Sequence, residues 1–276
     1  VTHIQKKNKS ITQEDVMSTG RSVGDGEMAK KQKGIPITNY ESIRRLLRRK
    51  LSSRGYQRQD ISSTDQALAQ LQSNPNAIIA LVCKLEAKDR YTSGHSRRVA
   101  EISVAVAREL GIPRDTIEKI RLGGWVHGVG KIGVRESILN KKGRLTESEY
   151  RQITFYPEVG ERVLAPILKD EEILKIVRHH HERYDGGGYP DGLSGAQTSL
   201  GARILQVSDA FDAMTSERPY RDAINTDSAF AEIDRCKGAQ FDPEVAGAFL
   251  RIREFIYEVV GIARPGTYGT PTLAGV

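Results

Sequence analysis

The sequence predicts an all-α domain, and three observations carry that expectation. Apolar residues recur at helical spacing through most of the chain beyond residue 62, and no stretch sustains the strict alternation of a half-buried strand. One long Gly-rich segment, 185–201, interrupts the pattern and reads as a functional loop. With 276 residues, 38% of them hydrophobic and 28% charged, the chain can bury one good-sized core and carry a small appendage.

Residues 1–36 are polar, contain many Lys and Gly, and lack a hydrophobic period, which predicts a flexible tail. Beyond it, Ile43, Leu46, Leu47 and Leu51 line one helical face and Gly55 supplies a stop. This piece, ending in Ser53-Arg54-Gly55-Tyr56, resembles the first helix of a response-regulator receiver domain, without the strand that would bear a phospho-acceptor Asp. Residues 1–61 are therefore expected to be a mobile basic segment with a possible receiver-domain remnant, 62–260 the main domain and 261–276 a tail. Helices are expected over 67–87 (broken near Asn74-Pro75), 96–110, 115–126, 146–153, 157–164, 171–181, 202–214, 228–236 and 243–259. Thr146 with Glu149 three residues on has the form of a capping box.

The formal charge of +7 and pI near 9.3 favour an anionic partner. Arg44, Arg45, Arg48, Arg49, Lys50 and Arg54 concentrate part of that charge. They read as a solvated helix face; as a nucleic-acid surface they lack aromatic interleaving and a recognised motif, so nucleic-acid binding is carried as an alternative reading. The longest apolar run, 77–83, is too short to span a bilayer, and no charged start with an apolar core and cleavage site opens the chain. The expectation is a cytoplasmic protein without membrane contact. Cys83 and Cys236 lie in helix-like patterns and are expected to be reduced core residues.

The polar residues that helices ought not to bury alone arrive as a set: His95, opening one helix; His127, ending another, with Lys131 four residues on; His179-His180-His181-Glu182 at the end of a third; and Ser208-Asp209-Ala210 inside an apolar one. Imidazoles and a carboxylate framed by apolar walls are what a first-row metal site needs. Arg can fork onto a phosphate and Lys can neutralise a non-bridging oxygen. A Gly-rich loop lets backbone approach a ligand closely.

From about residue 85 to 249 the chain resembles the HD-GYP domains, the branch of the HD phosphohydrolases that hydrolyses cyclic di-GMP. The matching words, in family order, include Glu86-Ala87-Lys88-Asp89-Arg90-Tyr91-Thr92, Gly94-His95-Ser96, Gly130-Lys131-Ile132-Gly133, His180-His181-Glu182-Arg183-Tyr184-Asp185-Gly186-Gly187-Gly188-Tyr189-Pro190, Asp209-Ala210-Phe211-Asp212-Ala213 and Arg218-Pro219-Tyr220-Arg221. The resemblance implies an HD-domain helical bundle with a Gly-rich GYP loop. It implies metal ligation by His95, His127, His180, His181 and Asp209, and substrate contacts from Lys131, Gly188, Tyr189, Pro190, Arg218 and Arg221, with Lys131 also stabilising charge in the reaction. It further implies cyclic di-GMP as ligand and diguanylate cyclase domains as partners.

Two positions depart from the pattern. Gly128 stands where the family has the Asp that bridges two ions, and Tyr156 stands where it has another metal-binding His. On this count one ion, iron or manganese, is held by His95, His127 and Asp209, while the second retains only His180 and His181. One ion or none is expected rather than two, with turnover weak or absent. Tyr156 could ligate only as phenolate, against a reference pKa near ~10. His179 is expected at the surface, pointing away from His180, and Asp212, one turn past Asp209, is expected as a partner of a ligand rather than a ligand.

Overall fold

The computed structural model describes residues 94–141, 143–216 and 223–261. Among them the chain is helical and contains no strand, only an isolated bridge between Lys237 and Phe241. The expected 67–87 helix, the basic segment around Arg44 to Arg54, Cys83, Arg218 and Arg221 lie outside the described residues.

In chain order the described helices are α1 (His95–Glu109), α2 (Arg114–Val126), α3 (Glu136–Leu139), α4 (Glu147–Thr154), α5 (Tyr156–Leu164), α6 (Glu171–His179), α7 (Leu200–Thr215), α8 (Thr226–Arg235), α9 (Pro243–Arg251) and α10 (Arg253–Val260). A 3₁₀ turn, His127–Gly133, follows α2, and another, Gly195–Gln197, interrupts the Gly-rich loop. The capping box read at Thr146 is formed: Glu149 N–H donates to the Thr146 hydroxyl, and Thr146 N–H donates to the Glu149 carboxylate at 2.7 Å.

Two boundaries differ from the sequence reading. The helix expected over 171–181 stops at His179, because the His180 ring donates from Nδ1 to the Val177 carbonyl at 2.8 Å and turns the chain. The helix expected over 243–259 is two, parted at Ile252. No Gly or Pro marks that break. It lets α10 fold back onto α1, where Ile256 and Tyr257 become buried.

The larger core joins α1, α2 and α7–α10, with Phe211 at the centre of an aromatic group: its ring lies 4.8 Å from Phe230 and 5.1 Å from Phe249. Buried Cys236 belongs to it, as expected. A second apolar cluster, including Val126, Val159, Val163, Leu164 and Val177, welds α2, α5 and α6. Between the two lie the ends of α2, α5 and α6 and the middle of α7. The 3₁₀ turn meets α5 so closely that a Cβ on Gly130 would lie 1.9 Å from the Tyr156 carbonyl oxygen. Because that neighbour is backbone, Gly130→Ala is expected to lower stability by about 1–3 kcal/mol or more. An unchanged urea midpoint would contradict this contact.

Candidate metal centre

Five elements deliver one side chain or more each to a common pocket. His95 opens α1, His127 caps the C-terminus of α2, Tyr156 opens α5, His180 and His181 follow α6, and Asp209 sits mid-α7. All are buried, His127 and His180 completely. The structure therefore brings together the five predicted ligands and one of the two departing positions.

Two groups of ligand atoms result. Those of His95, His127 and Asp209 lie within 4.8 Å of one another, and so do those of His180, His181 and Asp209. The second group corrects the sequence count, which left His180 and His181 without a carboxylate. Asp209 belongs to both groups because α7 crosses between the end of α2 and the end of α6, a relation that helical periodicity does not encode.

Orientation of each ring follows from its other nitrogen. His127 Nδ1 donates to the Gly124 carbonyl at 2.7 Å, and His95 Nδ1 donates to Asp212 Oδ2 at 2.7 Å. Their Nε2 atoms then face each other at 3.2 Å, with Asp209 Oδ1 at 3.3 Å from His95 and 3.8 Å from His127. With both Nδ1 atoms protonated, three lone-pair atoms converge, an arrangement that calls for a cation or for a proton on His95. This donor set fits a divalent first-row ion.

The electrostatics agree. Burial pulls the His127 and His180 pKa values down to about 3, and His181 well below its usual value, with neighbouring imidazoles and the Lys131 ammonium adding to the effect. These rings are neutral and ready to ligate at neutral pH. Burial opposes a charge on His95, but Asp209 and Asp212 outweigh it and raise its pKa. Burial likewise opposes the Asp209 carboxylate, yet a hydrogen bond from His95, with that ring protonated, outweighs it and holds its pKa well below the ordinary range.

Asp212 acts on His95, as the sequence suggested, and is itself gripped by a residue that sequence reasoning missed. Arg98 Nε donates to Asp212 Oδ1 at 2.5 Å and its Nη2 to Oδ2 at 3.1 Å. The signal was available: Arg98 follows His95, and Asp212 follows Asp209, each by three residues on a helix, so both pairs share a face. Arg98→Gln is expected to release Asp212 and weaken manganese binding about 10–100-fold, the range for loss of a ligand's supporting partner. Calorimetric titration with unchanged affinity would rule this role out.

The Gly-rich loop closes the pocket beside His181. The Tyr189 ring stacks on it at 4.8 Å and 28°, and Tyr189-Pro190 is cis. A Cβ on Gly188 would lie 2.3 Å from Arg183 N, so the backbone crosses itself there. The predicted substrate residues Gly188, Tyr189 and Pro190 are thus adjacent to the centre. Buried Glu182 accepts N–H groups of Asp191 (2.6 Å) and Leu193 (3.1 Å), and Arg178 ties Asp191 to Glu161. His179 lies off the centre, hydrogen-bonded to Asp191 at 3.0 Å. Lys131 sits on the other flank, its Nζ 5.5 Å from the Tyr156 ring centroid.

At Gly128 nothing fills the space of the missing side chain: a Cβ there would meet Lys131 Nζ at 4.0 Å. At Tyr156 the side chain is engaged, its hydroxyl 2.7 Å from His180 Nε2 and 2.5 Å from His181 Nε2.

Residues 81–245 match the model of the HD domain family. The chain is similar to the cyclic di-GMP phosphodiesterase PA4108 of Pseudomonas aeruginosa, at 38% identity over 68% of this chain and 45% of that protein. It is also similar to the cyclic di-GMP phosphodiesterase response regulator RpfG of Xanthomonas campestris pv. campestris, at 37% over 66% of this chain and 50% of that protein. A third relative, the 3'3'-cGAMP-specific phosphodiesterase 3 of Vibrio cholerae, is 37% identical over 59% of this chain and 36% of that protein. The chain therefore spans half or less of the length of these relatives. In fold it is similar to the solved structure of Bd1817, a HDG"Y"P protein from Bdellovibrio bacteriovorus, with TM-score 0.51 and 17% identity over 77% of this chain and 69% of that one.

Proposed function

From a chain that belongs to the HD domain family, we propose a cytoplasmic cyclic di-GMP signalling protein, a phosphodiesterase by descent, that holds one divalent ion of iron or manganese, or none, rather than two. Turnover is weak or absent, and binding of the nucleotide and of a diguanylate cyclase partner at the Gly-rich loop is retained. The domain concerned is 62–260, preceded by a basic segment, 1–61, and followed by the tail 261–276. The similar proteins named above as cyclic di-GMP phosphodiesterases support the substrate class.

The observation that carries the impaired reading is the sharing of one carboxylate, Asp209, by both groups of imidazoles, with no side chain at Gly128 to add a second. When bound, a divalent ion supplies a Lewis acid and an acidified water. The rest falls to the chain. His95, His127 and Asp209 hold the ion, their orientation set by Gly124, Asp212 and Arg98. Lys131 neutralises a phosphate oxygen as charge develops, and Arg218 and Arg221 clamp the phosphates. Tyr189, backed by the His181 ring, offers a face for a guanine, and Gly188 and Pro190 set the loop that presents it.

A second reading, an active phosphodiesterase with a mononuclear or substrate-completed site, draws on the same Asp209: a substrate phosphate could supply the missing anion. Incubating the chain with cyclic di-GMP and manganese or iron, together with calorimetry of nucleotide binding, separates the two. Binding in the tens of micromolar without linear product supports the impaired protein. Brisk cleavage overturns it in favour of the second reading, and absent binding overturns both.

A further inference from the structure

The two halves of the centre differ in what already occupies them. On the His95 side, three lone-pair atoms converge with no hydroxyl between them. On the other side, His180 has its Nδ1 proton committed to Val177 O, so its Nε2 is an acceptor. Tyr156 Oη lies 2.7 Å from that nitrogen and 2.5 Å from His181 Nε2. A phenol donates one hydrogen bond and accepts another, so it serves His180 as donor and takes the proton of His181 Nε2 as acceptor. Both nitrogens are thereby satisfied by protein, with the two rings and the phenol buried.

The phenol is also held there. Tyr156 opens α5 with Pro157 behind it, its ring packs with Val134 and Ile138, and its carbonyl abuts Gly130. An ion bound by both imidazoles would lie about 2.0–2.1 Å from each nitrogen. A neutral hydroxyl hydrogen-bonded to the same two atoms competes for that place.

We infer that Tyr156 is a built-in occupant of the second metal position, closing the His180–His181 pair by hydrogen bonds where an ion would otherwise sit. The inference rests on the single-ion reading above and gives it a cause beyond the missing carboxylate: the vacancy at 128 weakens the second position, and the phenol at 156 fills it. Tyr156 is then a residue that sets metal stoichiometry.

The test is a titration of the chelator-stripped chain with manganese alone, read by calorimetry and elemental analysis, with the ultraviolet difference spectrum recorded for tyrosinate. The chain is expected to saturate without a tyrosinate signal, and Tyr156→Phe, which keeps the ring and removes the hydroxyl, is expected to take up one ion more. A variant that gains no ion shows the hydroxyl to be merely structural and overturns the inference. A tyrosinate band growing with metal in the unaltered chain, and absent from Tyr156→Phe, overturns it differently by making the phenolate a ligand. Because no nucleotide is present, loss of cyclic di-GMP binding would sink the preceding proposal without touching this one.

Discussion

Replacing Gly128 by Asp and Tyr156 by His together raises cyclic di-GMP hydrolysis on the order of a thousandfold, the effect of several kcal/mol regained in the transition state. The geometry permits both changes. Gly128 lies in a 3₁₀ turn outside the left-handed region, and a Cβ there meets Lys131 Nζ at 4.0 Å rather than backbone. The new carboxylate would enter a pocket of neutral imidazoles whose sole carboxylate ligand, among the described residues, is Asp209. It adds a second anion beside Asp209, which strengthens the hold on two cations sharing a site. Tyr156→His removes the hydroxyl that engages His180 and His181 and offers a nitrogen instead. Gly128→Asp alone should give a smaller gain, since the phenol still holds the second position. The measurement is linear dinucleotide formed per ion bound, in the presence of manganese. Two ions in the double variant with no added turnover would show that the depleted ligands are not what limits the reaction.

Asp209→Asn should remove metal binding from both halves at once. The loss is expected to exceed about a hundredfold in affinity, because even a ligand's supporting partner is worth about 10–100-fold. No other carboxylate joins either group of ligand atoms among the described residues. The amide keeps the shape of the side chain but not the charge that attracts a cation and holds the His95 pKa up. Arg98 and Asp212 remain to support the α1–α7 contact, so the helical circular dichroism should be retained. Manganese titration checks the prediction, and near-normal affinity would show that another anion supplies the site.

How much of this was legible beforehand differs by element. Helix spacing located α1, α2, α4, α5, α7 and α8 to within about two residues, because each has one apolar face to bury and a recognisable start or stop. The break at Ile252 was not legible, since it answers to a partner helix rather than to a local breaker. The five predicted ligands converge, and Tyr189 sits where a loop residue against the centre should. Arg98 went unread although its spacing from His95 was visible, and the clamp of Arg178 on Asp191 crosses from helix to loop without any periodic trace. Arg218 and Arg221 remain expectations from the motif alone.

By itself the amino-acid order determined which chemical groups the centre can draw on: His95, His127, His180 and His181, a carboxylate inside an apolar helix, a glycine without the bridging acid and a tyrosine in place of a histidine. It determined most of the described helices too, because amphipathic period and capping act over a few residues, but not the break at Ile252. Tertiary structure decided that Asp209 serves both imidazole pairs, that Asp212 belongs to His95 and Arg98, and that the Tyr156 hydroxyl lands between His180 and His181. The physical reason is range. Local order arises from neighbours three or four residues apart, whereas coordination is settled within an ångström by how α1, α2, α5, α6 and α7 cross, and packing around both apolar clusters sets those crossings.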